Sequence, residues 1–177
     1  MRVIDDPKQQ QELIQQHRAW MKCDMDEVDV VSDQMKRLPQ PPLTKAPGEG
    51  KKIPLTRDFS HVIKEQDIVK VIAGRQSHRF FKEDAMTLDQ LSFLLWACQG
   101  VKGIRGKSYA TLRTVPSGGA RHAYECYLAV DHVEGLERGI YHYLPMEHQL
   151  ELVSPVEQMQ QAIDHISGGQ KWICKAA

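Results

Sequence analysis

A chain of 177 residues is long enough to form one domain with its own hydrophobic core, so it needs no disulfide or metal for stability. Its 23 Lys and Arg residues balance its 23 Asp and Glu residues, which leaves no overall charge to attract nucleic acid or an acidic membrane. No apolar run approaches the about 20 residues that a membrane-spanning helix needs.

The N-terminal 56 residues predict a helical arm followed by a Pro/Gly-rich connection, ahead of a domain over 57–177. Asp6 and Pro7 are typical of the N-cap and first position of a helix. Residues at helical spacing then form one apolar face: Leu13, Ile14, Trp20 and Met21. A second short helix is predicted from a further set: Val28, Val31, Met35 and Leu38. From Pro39 to Thr56 the composition favours an extended connection over the surface.

A short helix over Ile68, Val69 and Ile72 is expected to end at Gly74 in a left-handed C-cap. If the backbone is extended after this helix, one side of it carries two guanidinium groups and a hydroxyl, from Arg75, Ser77 and Arg79. Arginine forks suit bidentate contacts to phosphate oxygens, so this segment is a candidate phosphate clamp. A solvated basic turn is the alternative.

Thr87 and Gln90 form a capping box at the start of the strongest predicted helix, which ends at Gly100. Its apolar stripe consists of Leu88, Leu91, Leu94, Leu95 and Cys98. Residues 100–120 are glycine-rich and basic, and they predict a long loop.

The segment Arg113–Val130 carries the clearest indication of function. Pro116, Ser117, Gly118, Gly119 and Ala120 stand at the entrance of an aromatic and aliphatic strand pattern. A glycine pair removes side-chain bulk and lets a planar or phosphorylated ligand approach the backbone closely. A tight loop before a strand is the simpler alternative.

Three strands over 124–133, 139–144 and 149–153 predict an antiparallel meander. Tyr141 and Tyr143 fall on one face of the middle strand and His142 on the other. Pro155 is expected to start a last helix that Gly168 and Gly169 close, after which 170–177 resume a helical pattern. The apolar positions of that last helix are Val156, Met159, Ile163 and Ile166.

Neither the histidines nor the cysteines indicate a metal site. His142 and His148 lack the spacing of a zinc pair, and no second pair of soft ligands accompanies them. The cysteines are widely spaced, form no Cys-x-x-Cys pair and follow no secretory segment: Cys23, Cys98, Cys126 and Cys174. We expect reduced thiols in a soluble, cytoplasmic protein.

With the Arg75-x-Ser77-x-Arg79 and Pro116–Arg121 segments in this order, the chain resembles the nitroreductase-like flavoproteins, and most closely their SagB-type dehydrogenase branch. The resemblance runs from about Val69 to Ala177 and includes the block Glu134–Tyr143, where that branch shows a "GL-x-x-G-hydrophobic-Tyr" hairpin. It implies an α+β fold with an antiparallel sheet flanked by helices. It also implies a homodimer with FMN at each end of the subunit interface.

By position, the resemblance transfers FMN phosphate and ribityl binding to Arg75, Ser77 and Arg79. It transfers contact with the isoalloxazine ring, usually from the partner subunit, to a second set: Pro116, Ser117, Gly118, Gly119 and Ala120. Gln170 is a further candidate, since members often place an amide near the flavin at this point. The catalytic residues stay unknown, because the flavin itself carries out hydride transfer. The resemblance implies a small-molecule or peptide substrate, and nothing in the sequence chooses between them.

Two other hypotheses stay open at the level of sequence. One is a flavin-free interaction protein with the same fold, in which the N-terminal arm serves a partner. The other is a nucleic-acid-binding domain, which the balanced overall charge disfavours. Its contact surface would be a basic loop that contains Lys102, Arg105, Lys107, Arg113 and Arg121. The family fold usually continues past Ala177, so we also expect an incomplete or divergent short member.

Overall fold

The computed structural model describes residues 6–21 and 31–176, without the side chain of Trp20. The helices are α1 (Pro7–Met21), α2 (Ile68–Gly74), α3 (Leu88–Gln99) and α4 (Met159–Ile166). The strands are β1 (Lys52–Pro54), β2 (Val101–Arg105), β3 (Ala110–Arg113), β4 (Tyr127–Val130), β5 (Gly139–Leu144) and β6 (Gln149–Pro155). The architecture is therefore α+β, and the chain divides into two units, Met1–Pro41 and Pro42–Ala177.

The first unit contains α1, and its start confirms the predicted cap. The Asp6 carboxylate accepts the backbone N–H of Lys8 at 3.0 Å, directly before Pro7. Trp20, predicted on the apolar face, has a side chain outside the described set.

The second predicted helix is wrong over its described part, while Val28 lies outside the described residues. Residues 33–37 form a turn, in which Leu38 N–H donates to the Asp33 carbonyl at 3.0 Å. Arg37 adopts a left-handed φ of 57°, which ends any helical run at that point.

The second unit is built on a four-stranded antiparallel sheet in the order β1-β6-β5-β4. The predicted meander is confirmed as β4-β5-β6, although its first strand covers only Tyr127–Val130. β1 lies inside the segment predicted as an extended connection and pairs with β6, with Lys52 opposite Glu151. The structure thus places the end of this connection, which we assigned to the arm, in the sheet of the second unit.

A two-stranded hairpin of β2 and β3 replaces the long loop predicted over residues 100–120. Gly106 and Ser108 take left-handed φ angles of 62° and 64° in its turn. The prediction was wrong because these strands lack an apolar alternation: the buried side chains of β3 include Thr111 and Arg113.

Helix α2 ends without the predicted left-handed glycine. Gly74 is still helical, and the next residue, Arg75, is extended with φ −62° and ψ 125°. The helix thus ends on an extended residue, and no left-handed reversal is required. At its start, the Asp67 carboxylate caps the helix by accepting the N–H of Val69 at 2.9 Å.

Helix α3 shows the predicted capping box between Thr87 and Gln90. Its buried face is formed by Leu91, Ser92 and Leu95, whereas two members of the predicted stripe, Leu94 and Cys98, are exposed. The buried side of the helix is therefore rotated away from the apolar stripe toward the polar residue Ser92.

The core of the second unit lies between α3 and the sheet. Its buried members are Leu91, Leu95, Val130, Val133, Tyr141, Tyr143 and Leu150. The prediction that the two tyrosines share a face is confirmed, since both lie in this core.

The C-terminal part differs from the prediction at its start and its end. Pro155 ends β6, and α4 begins only at Met159. Gly168 and Gly169 close α4 with left-handed φ angles of 66° and 80°, as predicted. Beyond them the described chain forms a single 3-10 turn over Ile173–Lys175, in place of a resumed α-helix. Within the described residues, no helix has the length and apolarity needed to cross a membrane.

Candidate functional site

Arg75, Ser77 and Arg79 lie in the irregular segment after α2, and all three are exposed. The guanidinium of Arg79 lies 5.8 Å from the centre of the Trp172 ring system. The ring of Phe81 stacks on the same indole, with 6.5 Å between the ring centroids and an 8° angle between the planes. The predicted phosphate-binding segment therefore contacts the segment that follows α4.

The positive charges of Arg75 and Arg79 are not offset by a carboxylate in the part of the chain that the structure describes. A phosphate monoester could supply the missing partner, because guanidinium groups bind its oxygens in pairs. Gln170 lies close in sequence to Trp172, and its side chain is exposed. Convergence of these side chains on one ligand stays a prediction.

The loop Pro116–Ala120 contains a 3-10 turn with an unusual backbone. Gly119, Ala120 and His122 take left-handed φ angles of 61°, 55° and 45°. For the two residues with side chains this conformation is strained, and such strain is common where a backbone is shaped for a ligand. The Ser117 hydroxyl stabilises the turn by accepting the N–H of His122 at 2.9 Å.

The backbone of Gly118 and Gly119 is exposed to solvent. A Cβ atom added at Gly118 would meet no atom within 4 Å, so packing inside this chain does not require glycine there. The open space suits the approach of a flat ring, and the residues present fit a flavin to this extent. Among the described residues, no hydrogen bond, ion pair or ring contact joins this loop to Arg75, Ser77 or Arg79.

One residue of the basic loop in the nucleic-acid hypothesis is buried in the interior. Arg113 is buried, and it donates from Nε to the Thr111 hydroxyl at 3.1 Å and from Nη1 to the Gln99 side-chain oxygen at 3.0 Å. Burial lowers the pKa of Arg113. This side chain stabilises the β2-β3 hairpin against α3 and is not available to a phosphate backbone.

Sequence reasoning misses a buried polar group centred on His148, which is only 1% exposed. The Tyr143 hydroxyl lies 2.7 Å from Nδ1, while Nε2 lies 2.9 Å from both the Ser92 hydroxyl and the Thr56 carbonyl. Because a carbonyl can only accept, we assign the imidazole proton to Nε2, and the Tyr143 hydroxyl donates to Nδ1.

The same group resembles a nucleophilic serine–histidine pair in composition only. The Ser92 hydroxyl donates to the Thr56 carbonyl at 2.6 Å, and the residue is fully buried. Its proton is thus directed away from His148, and no substrate can reach its oxygen. Burial lowers the pKa of His148, and burial also raises the pKa of Tyr143 to about 12, so the whole group is uncharged at neutral pH.

A second polar cluster is formed by the buried residues His142 and Glu151 and the partly exposed Glu125. His142 is 2% exposed, with Nε2 3.0 Å from the Glu125 carboxylate and Nδ1 3.8 Å from the Glu151 carboxylate. The polar face of β5 is therefore covered rather than solvated. Among the residues described, no group of three or more His, Cys, Asp or Glu could hold a metal ion.

The two carboxylates of this cluster attach the residues 45–52 to the sheet. Glu151 accepts the N–H groups of Gly48 at 2.9 Å and Gly50 at 3.1 Å and the ammonium of Lys52 at 2.7 Å. Hydrogen bonds from Lys52 and Gly48 lower the pKa of Glu151 to about 2.

Glu125 attaches the beginning of the same segment, because it accepts the Lys45 N–H at 2.8 Å. Burial raises the pKa of Glu125, but the hydrogen bonds from His142 and Lys45 outweigh burial and leave it lowered.

An open cavity of about 360 Å³ lies between this attached segment and the sheet. We call it the Lys45 cavity. Its lining residues are Lys45, Ala46, Gly48, Glu49, Gly50, Tyr127, His142, Glu151, Leu152 and Val153. None of them belongs to the segments predicted for FMN, and no motif in the sequence indicates the cavity, because its walls come from positions about 100 residues apart.

Comparison with known proteins supports the resemblance over part of the chain, although no protein-family model matches. Over 88 residues, 50% of the chain, it is 38% identical to the protein of Methanocaldococcus jannaschii named "Putative nitroreductase MJ1384", and the match covers 42% of that protein. Over 56 residues it is 39% identical to the trifolitoxin-processing protein TfxB of Rhizobium leguminosarum bv. trifolii, covering 31% of the chain and 15% of that protein. The chain thus spans less than half the length of each of these two relatives. Across 88 residues, 50% of its own length, it is similar to the protein named "Putative nitroreductase MJ1384".

Proposed function

We propose that this chain acts as an FMN-dependent oxidoreductase of the nitroreductase-like type, which transfers hydride to or from a small-molecule or peptide substrate. The observation that carries the proposal is the 38% identity, across 88 residues that make up 50% of the chain, to the protein named "Putative nitroreductase MJ1384". The α+β architecture with its antiparallel sheet is compatible with that type.

In this proposal the FMN phosphate binds to the guanidinium groups of Arg75 and Arg79, which have no carboxylate partner among the described residues, with Ser77 as a further donor. The isoalloxazine ring lies against the exposed backbone of Pro116–Ala120, and Gln170 supplies an amide near it. Bound FMN supplies the hydride chemistry, so the chain needs no acid–base pair of its own. Its residues bind and orient the cofactor and place backbone donors near its ring.

We propose a homodimer with FMN at the subunit interface. Arg75 and Arg79 share no hydrogen bond, ion pair or ring contact with residues 116–120 within the described part of one chain. Both segments can contact one FMN if the loop comes from the second subunit, as the resemblance implies.

The comparison with a trifolitoxin-processing protein supports keeping a peptide among the proposed substrates. A SagB-type dehydrogenase that oxidises peptide azolines is the finer version of the proposal, and a quinone or nitro reductase is the alternative within the same enzyme class.

The first prediction is that Arg75→Ala and Arg79→Ala each weaken FMN binding about tenfold or more, because each removes a charge-assisted contact to phosphate. Titration by quenching of flavin fluorescence measures the dissociation constant. Riboflavin, which lacks the phosphate, should bind the variants and the unchanged protein equally. Arg105→Ala, an exposed arginine on β2, is the matched control. An equal FMN dissociation constant in all four proteins would remove the phosphate-clamp assignment.

The flavin-free interaction protein stays the second candidate. The absorbance spectrum of the purified protein, before and after incubation with FMN, distinguishes the two. Oxidised-flavin bands that persist after gel filtration support the oxidoreductase, and their absence after incubation supports the interaction protein.

A further inference from the structure

The Lys45 cavity carries an inference that does not depend on the flavin proposal. At its rim, the Lys45 ammonium donates a hydrogen bond to the Tyr127 hydroxyl at 2.8 Å. The ammonium lies within 4.0 Å of no carboxylate in the described part of the chain. This contrasts with Lys52, which is paired with Glu151 at 2.7 Å in the same segment.

Hydrogen-bond donors outnumber acceptors at this rim. An ammonium has three N–H donors and no acceptor, and one of its donors is used by the Tyr127 oxygen. Since that oxygen accepts from Lys45, the phenolic proton is directed elsewhere. Lys45 and Tyr127 therefore present several donors side by side, and the carboxylates of Glu125 and Glu151 act on the ammonium only from beyond 4.0 Å. The hydrogen bond to Tyr127 also raises the pKa of Lys45, which keeps it charged at neutral pH.

The pair is held in a defined position. The backbone N–H of Lys45 donates to Glu125 at 2.8 Å, and the Tyr127 ring stacks on His142 with 4.6 Å between centroids and a 16° angle between the planes. His142 is itself fixed by Glu125 at 3.0 Å. Preorganised donors of this kind lose little conformational entropy on binding.

Behind the donors, the cavity offers apolar surface from Ala46, Leu152 and Val153. Its carboxylate Glu151 accepts from Lys52 and from two backbone N–H groups, and it lies more than 4.0 Å from the Lys45 ammonium. A volume of about 360 Å³ suits a small organic molecule rather than an inorganic ion alone.

We propose that the Lys45 cavity binds a small organic carboxylate, whose oxygens accept from the Lys45 ammonium and the Tyr127 hydroxyl and whose apolar body lies against Ala46, Leu152 and Val153. The carboxylate belongs either to a free acid or to the C-terminus of a peptide, since both present the same chemistry.

The test uses NMR titration of the full chain with benzoate, and with benzamide as an uncharged analogue of nearly equal shape. We expect benzoate to shift the backbone resonances of Lys45, Ala46 and Tyr127, and benzamide to leave them unchanged at equal concentration. N-acetylphenylalanine compared with its amide, and with a peptide ending in a free carboxylate, distinguishes the free acid from the peptide C-terminus.

Variants sharpen the test. Lys45→Met should abolish the benzoate shifts, and Tyr127→Phe should weaken binding several-fold, whereas Lys51→Met, an exposed lysine of the same segment that does not line the cavity, should have no effect. Glu49→Gln should tighten binding of benzoate, because it removes a negative charge from the cavity lining. Among the described residues, Glu49 has no ion-pair partner that offsets this charge. Unchanged spectra of buried residues such as His142 report that each variant is folded.

The proposal is overturned if benzoate and benzamide shift the same resonances equally, if a folded Lys45→Met protein binds benzoate as well as the unchanged protein, or if Glu49→Gln weakens binding. It is also overturned if inorganic phosphate shifts the same resonances with the same affinity, since that outcome would show a nonspecific anion contact. FMN binding is measured on the same samples and is expected to be equal in all variants, which separates this proposal from the flavin proposal.

Discussion

At the residue scale, His148 is a buried histidine that joins separate parts of the second unit through its hydrogen bonds. Its imidazole connects Tyr143 on β5, Ser92 on α3 and the Thr56 carbonyl two residues after β1. We predict that His148→Asn lowers the free energy of unfolding by about 2–3 kcal/mol, because a shorter side chain leaves buried partners unsatisfied. Asparagine tolerates the left-handed φ of 56° at this position, so backbone strain does not contribute. Urea denaturation measures the difference.

The control is His165→Asn, an exposed histidine of α4, which should change the free energy of unfolding by less than about 0.5 kcal/mol. The pH dependence provides a second readout. Burial lowers the pKa of His148 below its ordinary 6.5, so the unfolded chain binds this proton first as the pH falls. Stability should therefore be complete above pH 6.5 and decrease below it, and this decrease should be smaller in His148→Asn. Equal pH slopes in both proteins would contradict the assignment.

At the element scale, β1 and the residues before it depend on a close backbone approach at Gly50. A Cβ atom at this position would lie 1.9 Å from the Leu152 carbonyl oxygen. We predict that Gly50→Ala costs about 1–3 kcal/mol, since the backbone must move and the neighbouring hydrogen bond from Leu152 N–H to the Lys51 carbonyl, now 3.0 Å, is distorted. Thermal or urea unfolding measures the loss.

Gly74→Ala is the matched comparison with the opposite sign. This glycine is helical and has open space around it, so alanine should stabilise the chain by about 0.5–1 kcal/mol. If the two glycine variants had the same free energy of unfolding, the result would contradict the close approach of Gly50 to the backbone of β6.

At the scale of the whole molecule, the second unit exposes apolar side chains that a protein in water usually covers. In α2, Ile68, Val69 and Ile72 are 65%, 71% and 69% exposed, and Phe80 is 96% exposed. We propose that this surface belongs to the homodimer interface. The protein should then have twice its chain mass of 20.2 kDa by light scattering, and the double variant Ile68→Lys/Ile72→Lys should lower that mass and its FMN content together.

Ile104→Lys, an exposed isoleucine on the β2-β3 hairpin, is the control and should leave the mass unchanged. A double variant with the mass and FMN content of the unchanged protein would exclude α2 from the interface. A protein that has the single-chain mass before any substitution would contradict the homodimer itself.

Local features of the sequence predicted the elements whose signals lie within a few neighbouring residues. The capping box of Thr87 and Gln90, the N-cap at Asp6 and the glycine pair after α4 all act over one turn of chain. The strands β5 and β6 have turn residues beside them, and Tyr141 and Tyr143 share one face of β5, as the two-residue period of a strand requires.

The sequence by itself therefore determined the β4-β5-β6 order and the best-capped helices, because hydrogen bonding to near neighbours decides these, whereas the α+β class was implied by the family resemblance. Only the tertiary structure decided the pairing of Lys52 with Glu151, the burial of His142 and His148 and the Lys45 cavity. Each of these depends on contacts between residues far apart along the chain, and a polar residue is buried only where distant partners satisfy its hydrogen bonds. The hydrophobic periodicity of a short stretch of sequence does not indicate which distant residues are these partners.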